Sequence, residues 1–350
     1  MRVLIIRVGA MGDVLHALPA VAALREARPD WVIDWAVDTR WEALLADGGW
    51  GPVVNRLQLV RTRMWAKAPV SWATLKSVLA LRKKLRKAEY DLVVDMQGTL
   101  RSAVIGWMAG AKKFVGYADP RETPARWFYK TKAVRRGAHV VEQGAALLGE
   151  ACGVVLTPRA VALPRVEWAE NWAEQEAVLK RPLCVLGPGG GWGAKQWPTE
   201  RFGSLAQRVR GMGFDVVVNA PRKDDAVANA VVDASDGAAR MVVCNVAGLV
   251  ALLRRTDLFV GGDSGPTHLA AALAVPLVAL FGPTDPARNG PWGPGVCRVL
   301  RDSGSMTSYK RTAETEARLA KLPVEDVVEA VWEVLQPGSE NPDPGNPFSR

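Results

Sequence analysis

The sequence predicts an α/β protein of two tandem, doubly wound domains, each a mostly parallel sheet covered by helices on both faces. Three observations carry that prediction. Short apolar runs alternate with helix-compatible stretches through the first half. The alternation restarts after "LTPRAVALPRVEWAE", a connector that carries Pro158 and Pro164. A chain of 350 residues, 49% of them hydrophobic, also has enough apolar surface for two cores. The expected boundaries are residues 1–165 for the first domain, 166–336 for the second and 337–350 for a tail.

The first domain opens with "RVLIIRV", a strand of β-branched and aliphatic residues, followed by the helical pattern "DVLHALPAVAALREARP". "WVIDWAV" reads as the next strand, the apolar run before Arg61 as another, and "YDLVVDMQG" as a fourth. Between the last two, "WATLKSVLALRKKLRKAEY" spaces apolar positions for a helix with a basic opposite face. In the second domain the strand signals are "PLCVLGPGGG", "FDVVVNAP", "ARMVVCNVAG", "TDLFVGGDSG" and "VPLVALFGPTDP". "VEDVVEAVWEVL" closes the domain as an amphipathic helix. The tail "QPGSENPDPGNPFSR" offers almost nothing to bury and reads as disordered. No fixed-period repeat is found.

Charge is unevenly placed. Residues 1–165 hold 26 Lys/Arg against 14 Asp/Glu, and the remainder 19 against 22, which together make the net +9. A basic first half suggests an anionic partner, the alternative being a merely solvated basic surface. No apolar run approaches the roughly 20 residues of a membrane span. The opening run Val3–Ile6 is cut by Arg7, which argues against a secretory leader. Cys152, Cys184, Cys244 and Cys297 have no metal-type spacing and read as reduced thiols of a cytoplasmic protein.

The chemistry is concentrated in the turns after strands. "VGAMGDVLH" resembles the start of a dinucleotide site, yet it lacks the full glycine fingerprint, with Asp34 or Asp38 left as ribose acids. Asp13 would repel a pyrophosphate at this helix start. A helix N-terminus favours a carboxylate, so Asp13 is either a general base poised above the sheet or an ordinary cap. The second domain supplies the phosphate-type loops. Gly187, Gly189, Gly190 and Gly191 precede Lys195, which can reach an anion. In "GGDSGPTHLAAAL" Pro266 suits a first helical turn and free N–H groups around Ser264 to His268 point outward. Asp263 is there either a pocket residue or a cap of its own turn. "FGPTDP" ends a third strand at the same edge. Together these residues read as a nucleotide-diphosphate site on one domain and a carboxylate on the other.

The markers "MGDVLHALPA", "DMQGTLRSA", "AKQWP", "GGDSGPTHLAAAL" and "FGPTDP" resemble those of the bacterial heptosyltransferases, glycosyltransferase family 9, to about residue 335. "DPRETPARWFY" is most similar to the heptosyltransferase I branch, whereas "GGGWGAK" is closer to the second-heptose branch. The resemblance implies a GT-B fold, two Rossmann-like domains facing each other across a cleft, with acceptor on the first and donor on the second. It implies an inverting transfer of heptose from ADP-heptose to the Kdo region of the lipopolysaccharide inner core. Asp13 and Lys195 would be catalytic. The donor would meet Gly189, Gly190, Gly191, Lys195, Asp224, Asp263, Ser264, Gly265, Thr267 and His268. The Kdo-lipid A type acceptor would meet Gly12, Arg61, Arg63, Arg121 and Arg126. No cofactor is implied, and the absence of any Asp-x-Asp argues for metal-independent chemistry. The partners implied are the two substrates and the inner leaflet of the cytoplasmic membrane, held peripherally, with no nucleic acid. Lys83, Lys84, Arg86 and Lys87 fall on a helix's solvent side, where they meet anionic lipid or simply keep that face soluble. The rival readings are heptosyltransferase II-type transfer to a heptose, a sugar-nucleotide epimerase of the same fold, an NAD-dependent dehydrogenase and a non-catalytic sugar-nucleotide binder.

Overall fold

The computed structural model describes residues 1–46, 53–176, 181–189, 196–301 and 319–336. It divides into two compact units, Met1–Pro164 and Arg165–Arg350. Each holds one six-stranded sheet in which every pairing is parallel. The alternation of strand and helix requires this arrangement, because parallel neighbours need a crossover that returns the chain to the starting edge.

Unit 1 runs β1 (Arg2–Ile6), α1 (Met11–Ala27), β2 (Val32–Asp38), β3 (Arg56–Val60), α2 (Thr62–Lys67), α3 (Trp72–Lys87), β4 (Leu92–Asp95), α4 (Leu100–Ala109), β5 (Lys113–Tyr117), β6 (Thr131–Ala133) and α5 (Val140–Cys152). A 3-10 turn at Thr123–Trp127 lies between β5 and β6. The strand order β3-β2-β1-β4-β5-β6 reverses direction between β1 and β4. α1 packs along α5 on one face, while α3 and α4 lie side by side on the other, over a core that includes Leu4, Ile6, Leu85 and Phe114. α1 is buried on nearly all sides, which suits a helix wedged between sheet and neighbour. Thr99 caps α4 in a reciprocal pair with Ser102, and Gly110 ends that helix at φ +71°, a left-handed turn that glycine adopts without Cβ strain.

Unit 2 runs α6 (Glu167–Glu176), β7 (Leu183–Gly187), α7 (Thr199–Gly211), β8 (Asp215–Ala220), α8 (Ala226–Ala234), β9 (Ala239–Val243), α9 (Val246–Leu253), β10 (Leu258–Gly262), α10 (Gly265–Ala272), β11 (Leu277–Phe281), α11 (Pro286–Asn289), β12 (Cys297–Arg301) and α12 (Val324–Leu335). The order β12-β11-β10-β7-β8-β9 reverses between β7 and β10. β5, between β4 and β6, and the edge strands β6 and β12 are positions that the sequence patterns did not mark. Among the described residues no helix is long and apolar enough to cross a membrane.

Candidate functional site

In an open parallel sheet the loops part at the strand pair where the winding reverses, and ligands settle at its carboxyl edge. In unit 1 that place lies between the ends of β1 and β4, and the loops there are "RVGAMGD" and "DMQGT". α1 starts at Met11 with Ala10 as its cap residue, so Asp13 stands at the third helical position. Its Oδ2 accepts from the Ala10 N–H at 3.1 Å, and its Oδ1 accepts from Arg7 Nη2 at 2.8 Å. The side chain remains 31% exposed. Each carboxylate oxygen keeps a lone pair beyond these bonds. Asp13 therefore completes the cap from inside the helix rather than sitting at the cap position, and its side chain is still partly open to solvent.

The neighbouring loop fixes that geometry. Arg7 also donates to the Met96 carbonyl and to the Asp13 carbonyl. Gln97 Oε1 accepts from the Val8 N–H at 2.7 Å. Asp95, with no exposed surface, accepts from the Gln97 and Gly98 N–H groups, from Ser102 Oγ at 2.9 Å and from Tyr129 Oη at 2.7 Å. Burial pushes the Asp95 carboxyl above the usual range, against the pull of those four donors. The "DMQGTLRSA" stretch thus anchors the loop that carries Asp13. Gly9 and Trp41 close the other side, because a Cβ on Gly9 would lie 2.6 Å from the Trp41 indole nitrogen.

The candidate ribose acids of a dinucleotide site are both spent. Asp34 is buried and accepts from Tyr90 Oη at 2.7 Å and Gln58 Nε2 at 3.3 Å. Asp38 accepts from Arg40 Nε at 2.6 Å and from the Thr62 N–H and hydroxyl. Burial raises the Asp38 carboxyl, but these bonds outweigh it and hold it below its ordinary value.

Of the residues expected to meet an acceptor, Gly12 lies in the first turn of α1 beside Asp13, and Arg61 and Arg63 follow directly on the carboxyl end of β3, both exposed. Arg121 also stands at this edge: its backbone lies against Gly98 (φ +73°), and the adjoining Glu122 Oε2 accepts from the Leu100 N–H at 2.8 Å. Arg126 is exposed in the 3-10 turn that follows, Thr123–Trp127. The segment descends along α4, where Phe128 meets Trp107 edge to face with ring centroids 6.4 Å apart. Trp107 lies two turns below Leu100 on α4. Arg86 likewise leaves its lysine neighbours, since its Nε donates to the Met108 carbonyl at the end of α4 at 3.0 Å.

In unit 2 the winding reverses between β7 and β10. After β10, Ser264 caps α10 by backbone geometry, without a side-chain capping bond. His268 N–H is already engaged with the Ser264 carbonyl at 3.3 Å. The helix's available donors are therefore the Gly265 and Thr267 N–H groups, Pro266 having none, and not the whole run to His268. Asp263 does not cap this turn. Its Oδ2 accepts from Thr284 Oγ1 at 2.7 Å and its Oδ1 faces His268 Nε2 at 3.3 Å, both residues being nearly buried. "GGDSGPTH" and "FGPTDP" are thereby joined through one carboxylate. Thr267 is fully buried, and its hydroxyl serves the Gly262 carbonyl. Its side chain supports the turn.

Gly187 has a packing reason as well. A Cβ there would fall 2.5 Å from the Phe259 ring, whereas nothing lies within 4 Å of a Cβ on Gly189. Only the second of these leaves the backbone open to an approaching group. Asp224, exposed after β8, pairs with Arg222 at 3.1 Å. Gly190, Gly191 and Lys195 lie outside the described residues, as does the 337–350 tail. The residues that sequence reasoning missed are Arg7, Gln97 and Thr284. Arg7 left a signal, a charge breaking an apolar strand, and Gln97 and Thr284 stood within quoted markers without a role of their own.

The family model for glycosyltransferase family 9 (heptosyltransferase) matches residues 78–318. Lipopolysaccharide heptosyltransferase 1 of Pseudomonas aeruginosa is 32% identical over 323 residues, covering 89% of this chain and 87% of that protein. The solved structure of E. coli heptosyltransferase WaaC with ADP superposes with a TM-score of 0.77 at 25% identity, over 95% of this chain and all (100%) of that one. The structure of the same enzyme with ADP-2-deoxy-2-fluoro heptose gives 0.74, over 95% and 99%. With these matches, and with two doubly wound domains that each carry polar loops at the winding reversal, the chain belongs to glycosyltransferase family 9, the heptosyltransferases, and is a transferase.

Proposed function

We propose that this chain moves a heptose from ADP-heptose to the Kdo region of the lipopolysaccharide inner core, with inversion at the anomeric carbon and without a metal. The observation that carries the proposal is the partly exposed Asp13 carboxylate held by Arg7 and Ala10 at the winding reversal of unit 1. Relatives named for ADP-heptose chemistry support the donor, and the match to heptosyltransferase 1 supports the acceptor.

In this mechanism the acceptor hydroxyl oxygen forms a bond to the anomeric carbon. The bond from that carbon to the β-phosphate oxygen breaks, and the hydroxyl proton passes to Asp13. The charge developing on ADP is met by the Gly265 and Thr267 N–H groups at the start of α10 and by Lys195. Asp263 and His268 shape the pocket wall, and Asp224 is the partner for nucleoside hydroxyls. Gly189, Gly190, Gly191 and Ser264 let the backbone approach the diphosphate. On unit 1, Gly12, Arg61, Arg63 and Arg121 receive the anionic acceptor, since arginine's fork suits carboxylate and phosphate alike. The work is done at the cytoplasmic face of the membrane, to which the protein is held peripherally. The "GGGWGAK" loop favours a second reading, transfer to a heptose acceptor.

The test is ADP release from ADP-heptose with Kdo-lipid A, in the presence of a chelator, compared with a heptosylated acceptor. Turnover with Kdo-lipid A, insensitive to the chelator, is expected. Asp13→Asn should lower kcat by about 10² to 10⁴ while changing the donor KM little. Near-normal turnover of the folded variant would remove Asp13 from the reaction.

A further inference from the structure

The outward face of α3 and the turn before it carry four apolar side chains that are exposed among the described residues. Val70 is 99% exposed, Trp72 67%, Leu75 46% and Leu79 49%. At about 100° per residue, Trp72, Leu75 and Leu79 lie opposite the stripe of Thr74, Val78, Leu81 and Leu85 that packs on the sheet. Lys76 and Lys83 share the outward face, the Lys76 ammonium 5.5 Å from the Trp72 ring centroid. Lys84 is turned to the side. From Arg61 to Ala88 the sequence places nine Lys/Arg and no carboxylate. Farther along the same helix layer, Trp107 and Trp127 are also exposed, at 52% and 77%. β3 and β4 are parallel, so α3 must start at the carboxyl edge of the sheet, near Arg61 and Arg63.

We propose that this face is where the protein seats on an anionic lipid surface, with Val70, Trp72, Leu75 and Leu79 entering the interfacial layer and Lys76 and Lys83 meeting headgroups. An apolar strip flanked by lysine on a helix lying flat is the pattern that binding at a charged interface requires. Charge decides the occupant. A second copy of the same face would bring uncompensated cations together, whereas anionic headgroups neutralise them. The inference deepens the peripheral attachment proposed above and rests on that reading for its biological setting. It also places the acceptor arginines at the lipid surface.

The test is flotation of the full chain with vesicles of phosphatidylcholine alone or mixed with phosphatidylglycerol. The wild type should bind only the mixed vesicles. Lys76→Gln with Lys83→Gln should weaken binding at low salt, about fivefold per lysine, and change little at high salt. Trp72→Ser with Leu79→Ser should weaken binding about tenfold at both salt concentrations. Failure of the wild type to bind mixed vesicles, or binding by both variants equal to wild type, overturns the proposal. So does a wild-type dimer in sedimentation that the Trp72→Ser, Leu79→Ser variant dissolves. No sugar nucleotide is present, so the outcome is independent of the transferase assay. With a delipidated acceptor both variants should keep wild-type ADP release.

Discussion

Asp13 owes its position to residues far away in the chain. Arg7 is held to the Met96 carbonyl and Gln97 to the Val8 N–H, 89 residues off, so the loop carrying the carboxylate is a product of the β1–β4 pairing. Asp95 is the root of that attachment, and Tyr129 is its least replaceable donor, since the ring also fills the space over Gly116. Tyr129→Phe keeps the ring and removes one bond to a buried carboxylate, which should cost about 1 to 3 kcal/mol in urea unfolding. Stability equal to wild type would show that Asp95 is satisfied by its other three donors. The contrast with what the sequence disclosed is physical. The turns that carry Asp13 and Asp263 were legible because a strand end, a turn and a helix start are local events. The roles of Gln97, Thr284 and Tyr129 were not, because each depends on strand neighbours that the sequence does not order. The turn around Asp263 shows the limit: its residues were legible, but only the structure reveals that Thr284 and His268 occupy both of its oxygens.

Elements were legible in proportion to their length and burial. β1, β4 and β10 are wholly or almost wholly buried runs and stood out, whereas β6 has three residues and β12 is an edge strand that is mostly only half buried. Such edges carry no period for a pattern to find. α6 shows how a marginal helix is kept in place. Its buried residues are Ala169 and Ala173, so its attachment leans on Glu170, which accepts from Arg254 on the end of α9 and from Arg255 Nη1 at 2.8 Å. Burial raises the Glu170 carboxyl, but the two guanidinium groups outweigh it and hold the group below its ordinary value. A carboxylate lowered on folding stabilises the folded state above its unfolded-state pKa, and that contribution is lost as pH falls through the folded value. Glu170→Gln should therefore lower stability by about 1 to 3 kcal/mol at neutral pH. The deficit should shrink in acid, below the ordinary glutamate range. A deficit that stayed constant down to pH values where all carboxylates are protonated would mean that the loss is one of packing.

The whole molecule divides its charge as it divides its fold. Residues 1–165 carry a net of +12 and the rest a net of −3, and the boundary falls at the connector between the two sheets. A field of that size raises the encounter rate with an anionic partner and is screened by salt over about 10 Å at 0.1 M. If the basic unit receives the acceptor, the two substrates should respond to ionic strength differently. The acceptor kcat/KM should fall steeply as salt rises. On the proposed mechanism the donor kcat/KM should fall less, because backbone N–H groups at the start of α10 act at contact distance. Arg61 and Arg63 are the exposed cations nearest the carboxyl end of β3. Arg61→Ala and Arg63→Ala should each cost about 1 to 2 kcal/mol of acceptor binding, seen as a raised acceptor KM with the donor KM nearly unchanged. The double variant should also show a shallower acceptor salt slope than the wild type, because the charges that salt would screen are gone. Flotation variants on α3 separate this steering from lipid attachment, since a delipidated acceptor feels the arginines and not the tryptophan face. Parallel salt curves for donor and acceptor in the wild type would mean that the +12 is a solvated surface with no part in choosing the substrate.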